Sequence, residues 1–277
     1  MDIYVRKSSW RGPVKGLVLD WAGTAVDYGC MGPVAVFLEV FSRRGVSPTI
    51  HEASGPMGLM KKDHIRAMCA MPALAARWEA VHGRPPDEGD VDAMYRETEP
   101  LMVECIKNHA ELIPGLLEAV AAFRDLGLKI GSSTGYTGPM MEVLRPEAAR
   151  QGYRPDSAWC STDVPAGRPY PWMCYRNAID LGVYPMEAMV KIGDTVSDVR
   201  EGLNAGMWTV ALSKSGNELG LPLEQVRAMP SSELAGRLAA IEDRLVAAGA
   251  HYVIEDISQA PGVLADISDR LSQGELP

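Results

Sequence analysis

The sequence predicts an α/β fold, a Rossmann-like doubly wound parallel sheet core with an inserted all-helical cap domain. Two observations lead to this prediction. From residue 113 onward, short apolar runs alternate with helical patterns, which is typical of βαβ units and a parallel sheet. Residues 29–110 show only helical patterns. The predicted domains are a discontinuous catalytic core, residues 1–28 and 111–277, and a helical cap, residues 29–110.

Composition excludes several classes of protein. Of the 277 residues, 47% are hydrophobic and 23% charged, as in ordinary globular domains. The net charge of −9 argues against nucleic acid as a partner. No apolar run approaches the roughly 20 residues of a membrane span, and the N-terminus lacks a signal-peptide core. The five cysteines form no CxxC pair, so we expect neither disulfides nor a thiolate zinc site. We expect a cytoplasmic protein without a membrane partner.

The first predicted strand ends in a carboxylate. In LVLDWAGT, residues 17–24, an apolar run precedes Asp20 and small residues follow it. This pattern is typical of a buried parallel strand, whose carboxyl end lies at the edge where open α/β sheets bind ligands. An aspartate at that edge can act as a nucleophile, a metal ligand or both. A cap of a turn or helix is the alternative interpretation of Asp20.

The cap is predicted to be a series of helices. Residues 31–45 carry apolar side chains on one face. Thr49 and Glu52 have the spacing of a capping box, which indicates a short helix. Further helices are expected at residues 55–70, 71–83 and 87–110.

The remaining core elements follow in alternation. The predicted strands are residues 128–134, 157–161, 188–194, 208–213 and 251–255. The predicted helices are residues 115–127, 137–151, 171–182, 197–205 and 231–249, with one more at the C-terminus. A loop containing Gly and Pro is expected between the strand at 208–213 and the helix at 231–249.

Two later strands and one loop supply further polar residues. LKIGSST ends in Thr134 before Gly135, GDTVSD contains Asp194 and Asp198, and PAGRPYP contains Arg168. Singly, each is a weak signal: GDTVSD could be a turn and helix cap, Arg168 a surface charge, and Thr134 a satisfied hydroxyl at a strand end. Together at one sheet edge, the carboxylates suit Mg²⁺, and the hydroxyl and guanidinium suit a phosphoryl group. The combination predicts Mg²⁺-assisted phosphoryl transfer.

With these motifs the chain resembles the haloacid dehalogenase-like hydrolase superfamily. The resemblance rests on DWAGT, on Thr134, on Arg168 and on GDTVSD. It implies that Asp20 forms an aspartyl-phosphate. Most members carry a second aspartate two residues later, which protonates an alkoxide leaving group. Here that position is Ala22, whose methyl group cannot transfer a proton, although its backbone carbonyl can still bind Mg²⁺.

Because Ala22 cannot act as an acid, another catalytic group is needed. Candidates lie in GPMGLMKKDH, residues 55–64 of the cap. Lys61 and His64 are three residues apart and share a helix face, to which Met57 adds an apolar side chain. A lysine amine in apolar surroundings has a depressed pKa and attacks carbonyl groups. A solvated helix face is the alternative. An imine of Lys61, placed beta to phosphorus, would accept the electrons of a breaking P–C bond.

The chain is similar, over nearly its whole length, to the phosphonatases of that superfamily. The matching stretches are LDWAGTAVDYGC, GPMGLMKKDH, GSSTGYT, DVPAGRPYPWMCYRNA, KIGDTVSD and NAGMWTV. The similarity implies cleavage of phosphonoacetaldehyde to acetaldehyde and orthophosphate with Mg²⁺. It implies that Asp20 attacks phosphorus and Lys61 forms a Schiff base, assisted by His64 and Tyr136. The remaining implied roles are substrate binding by Thr134, Gly135, Arg168, Met57 and Cys30, and Mg²⁺ binding by Asp20, the Ala22 carbonyl and Asp194, supported by Asp198.

Phosphonatases are homodimers, so the resemblance also implies a homodimer formed largely by cap helices. The helix at residues 31–45 has enough apolar surface for an interface, but an amphipathic helix facing its own core explains that surface equally well. The cap would act as a lid that brings Lys61 over Asp20 and excludes water.

Two other functions stay open from sequence. A phosphate-monoester phosphatase or phosphomutase of the same superfamily is disfavoured by Ala22, because both need the second acid. A catalytically inactive, phosphate-binding regulatory protein is disfavoured because Asp20, Thr134, Arg168 and Asp194 are all retained.

Overall fold

A six-stranded, entirely parallel sheet forms the centre of the computed structural model, which describes residues 10–277. The strands are β1 Gly16–Leu19, β2 Lys129–Thr134, β3 Ser157–Cys160, β4 Met189–Gly193, β5 Trp208–Leu212 and β6 Tyr252–Ile254. Their order is β3-β2-β1-β4-β5-β6, so the chain winds outward from β1 in both directions. This is the order of a doubly wound, Rossmann-like sheet, and the predicted fold class is confirmed. Residues 1–9 lie outside the described residues. They belong to the predicted core and to the N-terminus that is predicted to lack a signal peptide.

The described part of the chain contains twelve α-helices. Those between β1 and β2 are α1 Met31–Ser42, α2 Ile50–Ser54, α3 Lys61–Cys69, α4 Pro72–His82 and α5 Glu88–Ile106. Those after β2 are α6 Leu116–Asp125, α7 Gly138–Arg150, α8 Trp172–Leu181, α9 Val196–Ala205, α10 Leu223–Ala228, α11 Ser231–Ala247 and α12 Ala260–Gln273. The short helix α10 lies where a loop was predicted.

The first five helices form the cap. The capping box predicted for α2 is present: the Thr49 hydroxyl accepts from the Glu52 N–H, and the Glu52 carboxylate accepts from the Thr49 N–H. The helix predicted over residues 55–70 begins only at Lys61, because Pro56 and the left-handed Gly58 (φ +88°) interrupt the preceding turns. The domain boundaries themselves stay a prediction.

Helix α1 directs its apolar side chains into its own chain. Val34, Val36, Phe37, Val40 and Phe41 are all buried, and α1 packs against α5. A helix facing its own core therefore accounts for this apolar surface, and the homodimer stays a prediction. None of the helices within residues 10–277 combines the length and the apolarity needed to cross a membrane.

The register of the central strands decides where the polar strand ends meet. Leu19 of β1 pairs with Ser132 of β2 on one side and with Ile192 of β4 on the other. The residues that follow these three positions therefore emerge side by side at the carboxyl edge of the sheet. This edge is the topological switch point of the fold, where ligands bind in open α/β sheets.

Candidate active site

Asp20 follows β1 directly and is buried at the centre of this edge. Its backbone N–H donates to the Ile192 carbonyl at 2.9 Å, which continues the pairing toward β4. The turn after it closes through a bond from the Gly23 N–H to the Val26 carbonyl, 2.8 Å. Gly23 has a φ of +81°, and a Cβ there would lie 2.4 Å from the Asp194 carboxylate. Glycine is therefore required for Asp194 to approach the loop that carries Asp20.

Arg168 pairs with three carboxylates in a buried ion-pair network. Its Nη2 lies 2.7 Å from Asp20 Oδ1, its Nη1 3.0 Å from Asp198 Oδ1 and its Nε 2.9 Å from Glu201 Oε2. Nη2 also donates to the Ser133 carbonyl at 2.7 Å. Burial disfavours the guanidinium charge, but the three carboxylates raise the pKa of Arg168 well above its ordinary value. The guanidinium is thus charged and held in one orientation beside Asp20.

Two members of this network, Lys191 and Glu201, were missed by sequence reasoning. The Lys191 Nζ lies 2.8 Å from Asp198 Oδ1 and 3.4 Å from Glu201 Oε2. Glu201 Oε2 also accepts a 2.9 Å bond from the Ser133 hydroxyl. The signal that could have found Lys191 is a charged residue within the apolar strand β4, since a charge buried in a sheet needs a partner.

Three buried carboxylates form a cluster that fits a metal ion. One oxygen each from Asp20, Asp194 and Asp198 lies within 4.8 Å of the others. Asp194 accepts bonds from the Thr24 hydroxyl at 3.2 Å and the Asn217 N–H at 2.8 Å, but no cationic side chain of residues 10–277 pairs with it. Burial and the two other aspartates raise the pKa of Asp194 well above the usual carboxyl range. A divalent cation with a preference for oxygen ligands would relieve this repulsion.

Asp198 has different surroundings. Burial would raise the pKa of its carboxyl group, but Arg168 and Lys191 hold it below the ordinary value. Its second oxygen accepts from the Thr195 hydroxyl at 2.6 Å, in the capping box that begins α9. Both oxygens of Asp198 therefore already have partners within the protein. Its role in supporting the metal loop stays a prediction.

Lys61 is the first residue of α3 and is buried, with 3% of its surface exposed. Its Nζ lies 4.7 Å from the ring centroid of Tyr136 and 5.7 Å from that of Phe37. It forms no ion pair with any residue that the structure describes. Burial lowers the pKa of Lys61 to about 8, against a smaller opposing effect of Asp20. About a tenth of the amine is therefore free at pH 7, far more than for an ordinary lysine, and can attack a carbonyl.

His64 is buried one helical turn from Lys61 and stacks on Phe37, with ring centroids 3.8 Å apart. Its Nε2 lies 2.9 Å from the Ala53 carbonyl, which can only accept, so Nε2 carries the proton. Nδ1 is buried without a hydrogen-bond partner in the described chain. Burial and the charge of Lys61 lower the pKa of His64 well below its ordinary value. His64 is thus a neutral imidazole with an open acceptor.

Other predicted residues lie near Asp20 and Lys61. The Thr134 hydroxyl accepts from the Tyr136 N–H at 3.2 Å, and burial raises the pKa of Tyr136 well above its ordinary value. The Cys30 thiol lies 3.6 Å from Asp194 Oδ2, and burial, followed by the charge of Asp194, raises its pKa. Both groups therefore stay protonated. A Cβ on Gly135 would lie 2.8 Å from a backbone oxygen of the cap, so this position accepts only glycine without a shift.

A small space of about 20 Å³ lies between the core and the cap. It is lined by Asp20, Ala22, Cys30, Pro33, Met57, Gly58, Lys61, Thr134, Gly135, Tyr136, Arg168 and Thr195. The structure thus brings nine of the sequence-predicted residues around one space, while His64, Asp194 and Asp198 lie outside this lining. The volume suffices for about one water molecule.

The fold and the site define a hydrolase class. The family model of the haloacid dehalogenase-like hydrolases matches residues 14–206. The chain belongs to this family of enzymes, and the resemblance seen in the sequence is confirmed.

Individual relatives match over the full length of the chain. Phosphonoacetaldehyde hydrolase of Syntrophobacter fumaroxidans is 59% identical over 277 residues, which is 100% of both chains. Phosphonoacetaldehyde hydrolase of Nitratidesulfovibrio vulgaris is 54% identical, with 100% of this chain and 99% of the relative covered. The crystal structure of a phosphonoacetaldehyde hydrolase-like protein from Oleispira antarctica superimposes with a TM-score of 0.96 at 38% identity and covers 100% of both chains.

Proposed function

We propose that this enzyme hydrolyses the P–C bond of phosphonoacetaldehyde to acetaldehyde and orthophosphate, with Mg²⁺ as its metal. The names of the full-length relatives support this substrate. The structural observation that carries the proposal is that Lys61 and Asp20 line the same cavity, where the lysine is buried and pairs with no carboxylate of residues 10–277. One residue is suited to attack an aldehyde and the other to attack phosphorus.

The first chemical step is imine formation at Lys61. The free amine adds to the aldehyde carbon, and loss of water leaves a protonated imine beta to phosphorus. The open Nδ1 of His64, one helical turn from Lys61 in α3, offers a hydrogen-bond acceptor, and the Tyr136 hydroxyl stays protonated as a donor. These groups provide the proton transfers that addition and water loss require.

Asp20 then attacks phosphorus. The electron pair of the P–C bond moves into the imine and forms an enamine, so the carbon leaves without needing an acid at position 22. Arg168, held beside Asp20, is placed to bind the phosphonate oxygens with Thr134. Asp20, Asp194 and the Ala22 carbonyl would hold Mg²⁺, which supplies positive charge to the phosphoryl group. Hydrolysis of the imine formed from the enamine releases acetaldehyde and Lys61, and water cleaves the aspartyl-phosphate to orthophosphate.

Substrate choice tests this proposal against the phosphatase alternative. Purified protein with Mg²⁺ is assayed for phosphate release from phosphonoacetaldehyde and from a panel of phosphate monoesters. We expect turnover of the phosphonate and little turnover of the esters, because Ala22 cannot protonate an alkoxide. Strong ester hydrolysis with none of the aldehyde would contradict the proposal. Absence of turnover on both would favour the inactive phosphate-binding protein.

The pH profile should follow the free amine of Lys61. Its pKa is lowered to about 8, so kcat/KM should rise with pH up to this value and level off above it. Below it, the free amine falls about tenfold per pH unit, because protonation removes the nucleophile. Steady-state rates over about three pH units around this pKa check the prediction. A profile that falls as the pH rises through the pKa of Lys61 would count against an amine nucleophile.

Placing the family's second aspartate at position 22 should not improve cleavage of phosphonoacetaldehyde. Ala22→Asp places a carboxylate in the cavity shared by Asp20 and Lys61. It would raise the pKa of Lys61 and occupy space, so kcat/KM on phosphonoacetaldehyde should fall about tenfold or more. The measurement is steady-state kinetics, with Ala22→Asn as the neutral control that separates added volume from added charge. A large gain in phosphonate cleavage by Ala22→Asp would refute this view of the site.

A further inference from the structure

The loop after β5, residues 213–221, contacts the active site although none of the catalytic motifs includes it. The Ser215 hydroxyl donates to the Gly23 carbonyl of the nucleophile loop at 2.8 Å. The Ser215 carbonyl accepts from the N–H of Gly29, just before the cap, also at 2.8 Å. This loop therefore lies against both the nucleophile loop and the chain that leads into the cap.

Asn217 within this loop joins the metal cluster to the cap. Its backbone N–H donates to Asp194 Oδ2 at 2.8 Å, and its side-chain Nδ2 donates to the Ser54 carbonyl at 3.0 Å. Because a carbonyl only accepts, this contact fixes the orientation of the amide. A Cβ on Gly216 would lie 2.2 Å from the Asp194 Cβ, so glycine permits the close approach of this backbone. Asn217 is buried, with 7% of the residue's surface exposed.

The cap segment bound by Asn217 is also the one that positions the catalytic lysine. Ser54 ends α2, and its neighbour Ala53 accepts the 2.9 Å bond from His64 Nε2. The chain then reaches Lys61 through six residues. One end of α2 is therefore bound on one side by the active-site histidine of the cap and on the other by Asn217 of the core.

We propose that Asn217 is a positioning residue that couples occupancy of the metal site to docking of the cap. A cation bound at Asp194 fixes the carboxylate that accepts from the Asn217 backbone N–H. The fixed backbone in turn holds the Asn217 side-chain amide in position to donate to the Ser54 carbonyl. The inference deepens the proposed function, and only the activity measurement described below depends on phosphonoacetaldehyde being the substrate. The reciprocal consequence is that a docked cap favours the metal-bound state.

The test is hydrogen–deuterium exchange of peptides covering residues 50–61, with saturating Mg²⁺ and with chelator. In the wild-type protein, Mg²⁺ should slow exchange there about threefold to tenfold, the scale set by one hydrogen bond. In Asn217→Ala this effect should fall below about twofold. The variant keeps the backbone N–H to Asp194, and calorimetric titration with Mg²⁺ sets the concentration needed for saturation.

Two further variants make the result specific. Asn217→Asp keeps the size of the side chain, but a carboxylate cannot donate to the Ser54 carbonyl, so it should lose the Mg²⁺ effect as well. Asn204→Ala is the matched control: its Nδ2 donates to the Pro169 carbonyl at 2.8 Å within the core, and the Mg²⁺ effect should stay as in the wild type.

Activity provides a second readout. Asn217→Ala should lower kcat/KM on phosphonoacetaldehyde about threefold to tenfold. The coupling would be overturned by equal Mg²⁺ protection in wild type and Asn217→Ala, by no protection in the wild type, or by its loss in Asn204→Ala. If the substrate assignment is wrong, turnover is absent while the exchange result still decides the coupling.

Discussion

Replacing Lys61 by arginine is expected to abolish turnover of phosphonoacetaldehyde, by at least about 10⁴-fold, the scale on which removal of a nucleophile acts. A guanidinium stays protonated and cannot form an imine. The side chain lies beside the rings of Tyr136 and Phe37, where a guanidinium also packs well, so the fold should persist. Steady-state kinetics, with thermal unfolding as the check on folding, measures both expectations.

The neighbouring lysine supplies the matched control. Lys62 lies next in α3 and pairs with Asp92 at the surface. Lys62→Arg makes the same chemical change outside the cavity and should leave kcat and KM near the wild-type values, because an exposed ion pair contributes little. Near-normal activity in Lys61→Arg would remove the Schiff-base mechanism. Equal losses in both variants would point to damage to α3 rather than to chemistry.

Replacing Asp20 by asparagine is the second change with a large expected effect. Without a nucleophile at phosphorus, turnover should fall by at least about 10⁴-fold. Arg168 keeps its pairs with Asp198 and Glu201, so the buried network retains two of its three carboxylates around the guanidinium. Rapid-quench assays of phosphate release measure the loss.

The same variant separates the two chemical steps. Lys61 does not need Asp20 to react with an aldehyde, so borohydride should still trap an adduct in Asp20→Asn. Because the P–C bond stays intact there, the trapped group should retain phosphorus. An adduct that has lost phosphorus would show that another group cleaves the bond. Absence of an adduct would show that Asp20 is needed before the imine forms.

The sheet and the nucleophile end of the site could be predicted because their signals are local. Each strand is a short apolar run, and the order of a parallel sheet brings strand ends such as Asp20, Thr134 and Asp194 to one edge. Lys61 was found by another route, since the methyl group of Ala22 required a different way to break the bond. These inferences depend on residue type and spacing, which the sequence displays directly.

The parts that escaped prediction depend on contacts between distant residues. From sequence, Lys191 is an isolated charge in a strand and Glu201 a charge on a helix. Only the fold shows that Glu201 pairs with both Arg168 and Lys191. Asn217 contacts Ser54 from 163 positions away in the chain. The sequence predicts a helix from residue 55 because the apolar pattern continues through Gly58. The positive φ of Gly58 is incompatible with a helix there, so α3 begins only at Lys61.

The central claim is that Lys61 forms an imine with the substrate, and reductive trapping tests it most directly. The wild-type enzyme is treated with borohydride during turnover of phosphonoacetaldehyde and Mg²⁺, digested, and mapped by mass spectrometry. We predict a two-carbon adduct on Lys61, together with inactivation that depends on the presence of substrate. Continued turnover with Lys61 unmodified, or an adduct confined to other lysines, would contradict the mechanism.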